Sequence, residues 1–309
     1  MSPYLQRILD TGYKMQDAGL PAVALAKAGC RIHDGATADR VFDRCRGTSL
    51  VPCAFCLILH ILQIFHMDRN LFSWHSLSLN KEMPIASYGH YGFALLLVPT
   101  AAADYLEYER FQLMDSIAPF IEQGKVKVYS INSINNESWM NDQADPRHKT
   151  YMHKQFNDYV YNEVVPYIRS TSSSDTPIIT CGASFGALHS ANLFFKRPDL
   201  INGVIAMSGV YDLTEYSKGH YDDDVYFNSP MHYLPNLSDH NVLEQIRKSS
   251  HIHLLSGSGD YEDPENTRRF SGILYGKNIF YELDIWGPEW KHDWPTWRAM
   301  LPHYLGSRF

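Results

Sequence analysis

The sequence is poor in cysteine after its first 66 residues, and it contains no run of basic residues. Four of its five cysteines (Cys30, Cys45, Cys53 and Cys56) lie in residues 1–66, and only Cys181 follows them. A fold organised by disulfides is therefore not expected. The 27 basic and 34 acidic residues give a net charge of −7. A net acidic chain without a basic cluster is a poor nucleic-acid binder, and we expect no such partner.

Internal repeats and low-complexity segments are also missing. Apolar residues make up 45% of the 309 residues and charged residues 20%, which is ordinary for a globular protein. Disordered and collagen-like chains are thereby excluded. The length alone is compatible with one or two domains.

Residues 1–66 differ from the rest and end in an apolar run over 50–65, LVPCAFCLILHILQIF. The run is shorter than the ~20 residues that span a bilayer, and it begins too late for an ordinary signal peptide. Three interpretations remain open: a non-essential extension with Met67 as the natural start, a helical appendage on the main domain, and a membrane-anchoring helix. We expect an extension over 1–66, a main domain over 67–309, no stable membrane span and a cytoplasmic location, with membrane association through the run left open.

Two segments have part of a metal-binding pattern. Cys53 and Cys56 have C-x-x-C spacing, but a zinc site usually needs a second pair of ligands. The run Asp222 to Asp224 does not have ligands at alternate positions, nor the bidentate glutamate, that a calcium-binding loop needs. We expect no metal and no cofactor, and a solvated loop or small cap over 221–233.

From Met67 onward, strand-like and helix-like segments alternate along the chain. The run 93–98 (FALLLV) is continuously apolar, as in a strand buried on both faces. We predict strands over 71–77, 83–88, 93–98, 126–131, 177–181, 204–207, 252–255 and 280–285, and helices over 105–121, 149–169, 187–195, 265–275 and 294–304. This order predicts an α/β fold: a mostly parallel sheet with helices on both faces and two antiparallel strands first.

Residues 182–186 read Gly-Ala-Ser-Phe-Gly, a G-x-S-x-G pattern between a predicted strand and a predicted helix. That setting is typical of a nucleophile elbow, in which the serine occupies a strained turn. A side chain at Gly182 or Gly186 would collide with neighbouring backbone. We therefore predict Ser184 as a nucleophile. Cys181 is expected to be a buried strand residue.

A serine hydroxyl needs a base, which an acid must orient, and in this kind of site the acid precedes the histidine along the chain. Asp260 follows a strand through Ser-Gly-Ser-Gly, and we favour it as the acid. The alternatives are other acids after strands: Asp212, Glu262, Asp263 and Glu265. His292 lies on the loop after the last strand, and we predict it as the base in preference to His303.

An oxyanion hole needs two backbone amides. The Phe185 amide follows the nucleophile, and the second amide should come from the loop after strand 93–98. That loop reads Pro-Thr-Ala-Ala-Ala. We favour the Ala101 amide, with Thr100 as the alternative and as a further candidate substrate contact.

Three tryptophans, Trp139, Trp286 and Trp290, follow strands on the edge where the nucleophile is expected. They are candidates for an aromatic wall that binds substrate. The alternative is that they fill the core or form a lid.

Several segments of residues 70–306 resemble the putative-esterase group of α/β hydrolases, which includes esterase D-like enzymes, feruloyl and acetyl xylan esterases and mycolyltransferases. Within it the chain is most similar to a poorly characterised bacterial subgroup. The matching segments are 73–83, 93–100, 136–139, 163–168, 182–186, 207–209, 222–228, 233–236 and 291–295. The resemblance implies an α/β-hydrolase fold and a triad of Ser184, Asp260 and His292.

The residues together predict a serine esterase that acts on a small or medium carboxylic ester through an acyl-enzyme. An acyltransferase with the same triad and a non-catalytic binding protein that retains the triad are the alternatives. The expected partner is a small-molecule ester. The oligomeric state is left open, a homodimer included.

Overall fold

The computed structural model describes residues 67–309. The predictions for residues 1–66, including the run 50–65 and the pair Cys53 and Cys56, lie outside this range. The described chain contains an eight-stranded sheet: β1 (Arg69–Ser76), β2 (Lys81–Tyr88), β3 (Phe93–Val98), β4 (Val126–Ile131), β5 (Ile178–Ala183), β6 (Gly203–Met207), β7 (His251–Ser256) and β8 (Glu282–Ile285).

The strands lie in the order β1-β2-β4-β3-β5-β6-β7-β8. β2 is antiparallel to β1 and to β4, and every other neighbouring pair is parallel. The predicted fold class, a mostly parallel sheet whose first strands are antiparallel, is confirmed. Five of the six residues of β3 are buried, as its continuous apolar run predicts for a strand covered on both faces.

The helices of the described chain are α1 (Glu107–Arg110), α2 (Leu113–Glu122), α3 (Pro146–Tyr159), α4 (Val165–Thr171), α5 (Phe185–Lys196), α6 (Asp223–Asn228), α7 (Pro230–Asn236), α8 (His240–Lys248), α9 (Pro264–Gly276) and α10 (Trp294–Arg308). A π-helical turn, Val160–Val164, joins α3 to α4. A 3₁₀ turn, Asn135–Glu137, follows β4.

Two of these helical regions differ in detail from the sequence-based predictions, and α8 lies where no element was predicted. The helix expected over 105–121 is two helices, because Gln112 has a left-handed backbone with φ of 61° and interrupts the hydrogen-bonding pattern. The segment expected as a solvated loop or small cap carries α6 and α7. Asp222 accepts a hydrogen bond from the Val225 amide at the start of α6, so this acidic run caps a helix.

Alternate residues of the strands enter two separate hydrophobic clusters. Leu95 and Leu97 of β3 pack with residues of α2 and α10, such as Ile117 and Leu301. Leu96, from the opposite face of the same strand, packs with residues of α3 and α5, such as Phe156. The sheet is therefore a middle layer between two layers of helices.

The carboxyl ends of the parallel strands share one edge of the sheet. β5, β6, β7 and β8 are consecutive neighbours, so the loops that follow them lie side by side there. Within residues 67–309, no helix is long and apolar enough to cross a membrane.

Candidate active site

Ser184 lies in a sharp turn between β5 and α5. Its φ of 56° and ψ of −121° fall in a region that non-glycine residues rarely adopt. Its amide donates to the Met207 carbonyl of β6 at 2.9 Å, which holds the turn against the neighbouring strand. The strained turn and its position agree with a nucleophile elbow.

The two glycines of the turn allow close backbone contacts. A Cβ at Gly182 would lie 2.4 Å from the backbone of Gly186, and a Cβ at Gly186 would lie 2.3 Å from the Val98 carbonyl oxygen. A side chain at Gly182 would therefore push the start of α5 away from β5, and one at Gly186 would push it away from the end of β3. The structure agrees with the collisions that the motif predicts.

The Phe185 amide directly follows the nucleophile, and the start of the loop after β3 approaches the elbow at Gly186. Phe185 is the first residue of α5, where helix N–H groups have no partner inside the helix. In the described chain, neither the Phe185 amide nor the Ala101 amide donates to another protein group. Ala101 packs against a small apolar cluster that contains Phe185. Both amides are thus available to bind an oxyanion.

Thr100 does not have a free amide. Its backbone N–H donates to Glu107 Oε2 at 2.9 Å, and its hydroxyl donates to Glu107 Oε1. Burial raises the pKa of the Glu107 carboxyl, although the two hydrogen bonds from Thr100 oppose that shift. The contact fixes the loop that carries Ala101 and favours the Ala101 amide over that of Thr100. No motif in the sequence indicates that Glu107 supports this loop.

His292 lies on the loop between β8 and α10. Its Nδ1 is 3.2 Å from Oε2 of Glu262. Because a carboxylate only accepts hydrogen bonds, the proton of a neutral His292 lies on Nδ1, and Nε2 keeps a free lone pair. This is the tautomer that a general base needs. No hydrogen bond joins Ser184 Oγ to His292 in the described chain, and such contacts often tighten only when substrate binds.

Glu262 has a buried carboxylate with several donors. Its side chain is 1% exposed, and it accepts from Ser208 Oγ at 2.6 Å and from the Gly257 amide at 3.2 Å. Burial raises the pKa of the Glu262 carboxyl, but the hydrogen bonds from His292, Ser208 and Gly257 outweigh burial, and the net pKa is lowered. The group is therefore ionised at neutral pH.

Asp260 does not contact the histidine ring. Its carboxylate is 64% exposed and forms an ion pair with Lys291 Nζ at 2.5 Å. The structure thus differs from the prediction that Asp260 orients His292, and places Glu262, one of the alternatives, in that position. The physical reason is a tight turn: the Glu262 amide donates to the Gly259 carbonyl, and Tyr261 has a φ of 65°. This turn directs Glu262 inward and Asp260 outward.

The other acids and the second histidine have different partners. Asp212 pairs with His232 at 3.2 Å, and Asp263 caps α9 through the Asn266 amide. Glu265 pairs with Arg268. His303 stacks edge-on against Trp286.

Backbone hydrogen bonds connect the loops that carry Glu262 and His292. The Gly259 amide donates to the Trp290 carbonyl at 2.9 Å, and the His292 amide donates to the Asp260 carbonyl at 3.0 Å. A Cβ at Gly257 would lie 2.1 Å from the Trp290 carbonyl oxygen. Asp260 therefore positions the histidine through its backbone.

The three tryptophans proposed to contact substrate lie in different surroundings. Trp139 is 3% exposed, and its Nε1 donates to His153 Nδ1 at 3.1 Å, so its ring belongs to the core. Trp286 and Trp290 are partly exposed and pack edge to face at 4.8 Å. Of the predicted set, these two alone offer open aromatic surface on the histidine loop.

The comparisons with known proteins agree with this geometry. The model of the Esterase family, described as "Putative esterase", matches residues 110–307, about two thirds of the chain. No curated protein matches the sequence.

Among solved structures, the chain is similar to a ferulic acid esterase, with a TM-score of 0.61, 17% identity and coverage of 78% of this chain and 97% of that one. It is also similar to an S-formylglutathione hydrolase from Agrobacterium tumefaciens, with a TM-score of 0.60, 13% identity and coverage of 78% and 94%. A CE1 ferulic acid esterase from Anaeromyces mucronatus has a TM-score of 0.58, 12% identity and coverage of 78% and 90%.

At these identities the solved structures support the fold, and the family match supplies the activity. The chain belongs to the Esterase family and is a carboxylic-ester hydrolase with the α/β-hydrolase fold.

Proposed function

We propose that this protein hydrolyses a small or medium carboxylic ester through a triad of Ser184, His292 and Glu262. The observation that carries the proposal is the pairing of His292 Nδ1 with the buried Glu262 carboxylate, at the sheet edge where Ser184 follows β5. A buried, ionised acid on Nδ1 leaves Nε2 free to accept a proton from a serine.

The first half of the reaction acylates the serine. Ser184 Oγ attacks the ester carbonyl carbon while His292 Nε2 takes its proton. The negative charge that forms on the carbonyl oxygen is bound by the Phe185 and Ala101 amides, neither of which donates to another protein group in the described chain. Such donors strengthen as charge develops and contribute strongly to catalysis. The imidazolium then protonates the leaving alcohol, and the acyl group remains on Ser184.

The second half releases the acid. Water replaces the alcohol, His292 Nε2 accepts its proton, and the hydroxide oxygen bonds to the acyl carbon. Collapse of the second tetrahedral intermediate breaks the bond to Ser184 Oγ, which regains its proton from His292. Throughout, Glu262 stabilises the charged imidazole and stays ionised itself.

The surroundings of the nucleophile favour an apolar group on the substrate. Phe185 belongs to a buried apolar cluster, and the partly exposed side chains against that cluster are Ala101, Met140, Val210 and Tyr216. Apolar side chains next to an oxyanion hole bind hydrocarbon surface better than charge.

The proposal is tested by intact-mass measurement after incubation with a fluorophosphonate, together with hydrolysis of short p-nitrophenyl esters. The wild-type protein should gain one adduct and turn over the esters. Ser184→Ala should gain none and lose about 10⁴- to 10⁶-fold in turnover, as nucleophile deletions do. Turnover by Ser184→Ala within a few-fold of wild type would contradict the proposed mechanism.

A further inference from the structure

Ser208, directly after β6, has a backbone conformation that does not suit a serine. Its φ is 50°, a left-handed value that strains a non-glycine residue and that glycine adopts freely. Its amide donates to the Leu255 carbonyl of β7 at 2.6 Å, which fixes this conformation. A strained residue next to an active site points to a role for its side chain.

The Ser208 hydroxyl lies between an indole and a carboxylate. Trp297 Nε1 donates to Ser208 Oγ at 3.0 Å, and Ser208 Oγ is 2.6 Å from Glu262 Oε1. Because an indole N–H can only donate, it occupies an acceptor site of the hydroxyl. The hydroxyl hydrogen therefore points at the carboxylate, and the short distance is typical of a charge-assisted hydrogen bond.

The same tryptophan also contacts the histidine. The rings of Trp297 and His292 meet edge to face, with centroids 5.2 Å apart and an angle of 85° between their planes. Trp297 is 4% exposed and belongs to the core between the sheet and α10. One rigid side chain thus supports the imidazole ring directly and the carboxylate through Ser208.

We propose that Ser208 is a positioning residue, held by Trp297, that fixes Glu262 Oε1 so that Oε2 faces His292 Nδ1. This inference rests on the proposed triad. Oε1 of Glu262 is fixed by Ser208 at 2.6 Å and by the Gly257 amide at 3.2 Å, and Oε2 receives the imidazole N–H at 3.2 Å, with Ser256 Oγ 3.3 Å from the same oxygen. Without the Ser208 hydroxyl, the carboxylate loses the shortest of these contacts, and the tautomer of His292 is less well defined.

Ser208→Gly is the most direct test, because it removes the hydroxyl and relieves the backbone strain. We expect kcat to fall about 10- to 100-fold while KM stays within about threefold, as for a loss felt in the transition state. Ser208→Ala should do the same. Ser271→Ala, which removes a buried hydroxyl bonded within α9, is the matched control and should retain wild-type kcat.

Trp297→Phe keeps an aromatic ring against His292 but removes the donor to Ser208. We expect a smaller fall in kcat, about three- to tenfold, because the hydroxyl remains but is less constrained. Trp74→Phe is the matched control, since it also removes an indole donor, here to Glu163 at 2.8 Å, on the edge strand β1 at the other side of the sheet. It should retain wild-type kcat.

A double-mutant cycle separates positioning from general destabilisation. If Ser208 acts through Glu262, Ser208→Gly should have almost no further effect on kcat in a Glu262→Gln background. Equal effects of Ser208→Gly in both backgrounds, or a kcat for the single variant within threefold of wild type, would overturn the inference. If instead Glu262→Gln itself stays within a few-fold of wild type, the proposed triad fails, and this inference fails with it.

Discussion

Replacing Glu262 or Asp260 by its amide should have very different effects on activity. In Glu262→Gln, the side-chain amide must place either oxygen or NH₂ toward His292. If oxygen faces His292, the NH₂ group meets the Ser208 hydroxyl and the Gly257 amide, which are donors to Glu262 in the native protein. If NH₂ faces His292, the imidazole must accept at Nδ1 and carries its proton on Nε2. The first arrangement leaves buried donors unpaired, and the second gives the wrong tautomer.

The expected loss of activity in Glu262→Gln follows from these two arrangements of the amide. Loss of the correct tautomer in a serine triad costs about 10⁴-fold in kcat, equivalent to about 5 kcal/mol of transition-state stabilisation. Asp260→Asn removes only an ion pair between side chains that are 64% and 58% exposed, and solvent screens such a pair so strongly that it contributes little to stability. The Asp260 carbonyl that accepts the His292 amide is unaffected. Asp260→Asn should therefore stay within about threefold of wild type.

The assay is kcat/KM for a p-nitrophenyl ester, measured on both variants after circular dichroism and thermal melting show that each is folded. Glu262→Asp serves as a control that keeps the charge but shortens the side chain, and its activity should lie between wild type and Glu262→Gln. A severe loss in Asp260→Asn together with near-normal activity in Glu262→Gln would refute the assignment of the acid.

Two further predictions concern stability and the elbow. Burial lowers the pKa of His189 to about 3 and that of His253 to about 4, the latter despite Glu282 nearby. As the pH falls, these two histidines therefore take up protons in the unfolded chain before they do so in the folded protein. The free energy of unfolding that is present above about pH 6.5 should be lost progressively toward pH 4. Between pH 7 and 5 the loss should be roughly 1.5–2 kcal/mol for each histidine. Denaturant unfolding at several pH values measures this, and a stability that does not change between pH 7 and 5 would contradict it. Gly186→Ala would place a Cβ 2.3 Å from the Val98 carbonyl oxygen. It should therefore lower the free energy of unfolding by about 1–3 kcal/mol and reduce kcat. A variant with wild-type Tm and kcat would contradict the close contact.

The alternation of strand-like and helix-like segments along the sequence was sufficient to predict the sheet. Every strand predicted after Met67 is present within a few residues. The central strand β3 is continuously apolar because both of its faces are buried. The edge strands β1 and β8 are exposed or half-buried, and they were predictable from their place in the alternation of strand-like and helix-like segments. The helices α6, α7 and α8 were not predicted, since they are short and their stability depends on caps and tertiary contacts rather than on a long apolar face. Gln112 divides a predicted helix through a backbone conformation that its residue type does not indicate.

The candidate site was predictable where residue type and order along the chain determine which side chains can meet at the sheet edge. Ser184 follows from the glycines around it, and His292 from its place after the last strand. The choice between Asp260 and Glu262 depends on the turn over 259–262, and spacing in the sequence does not specify which of two acids on one turn faces inward. Ser208 could be noticed only as part of the Met-Ser-Gly segment that the esterase group shares, and its role requires knowledge of the contact with Trp297.

The two backbone hydrogen bonds between residues 259–260 and 290–292 have a consequence for the energetics of the reaction. They join the loop of the acid to the loop of the base, so the conformational entropy of ordering both loops is lost once, when the chain folds. Binding of an ester then does not have to align Glu262 with His292. The entropic cost of ordering these two loops is therefore absent from the activation barrier, because the free energy of folding has already offset it.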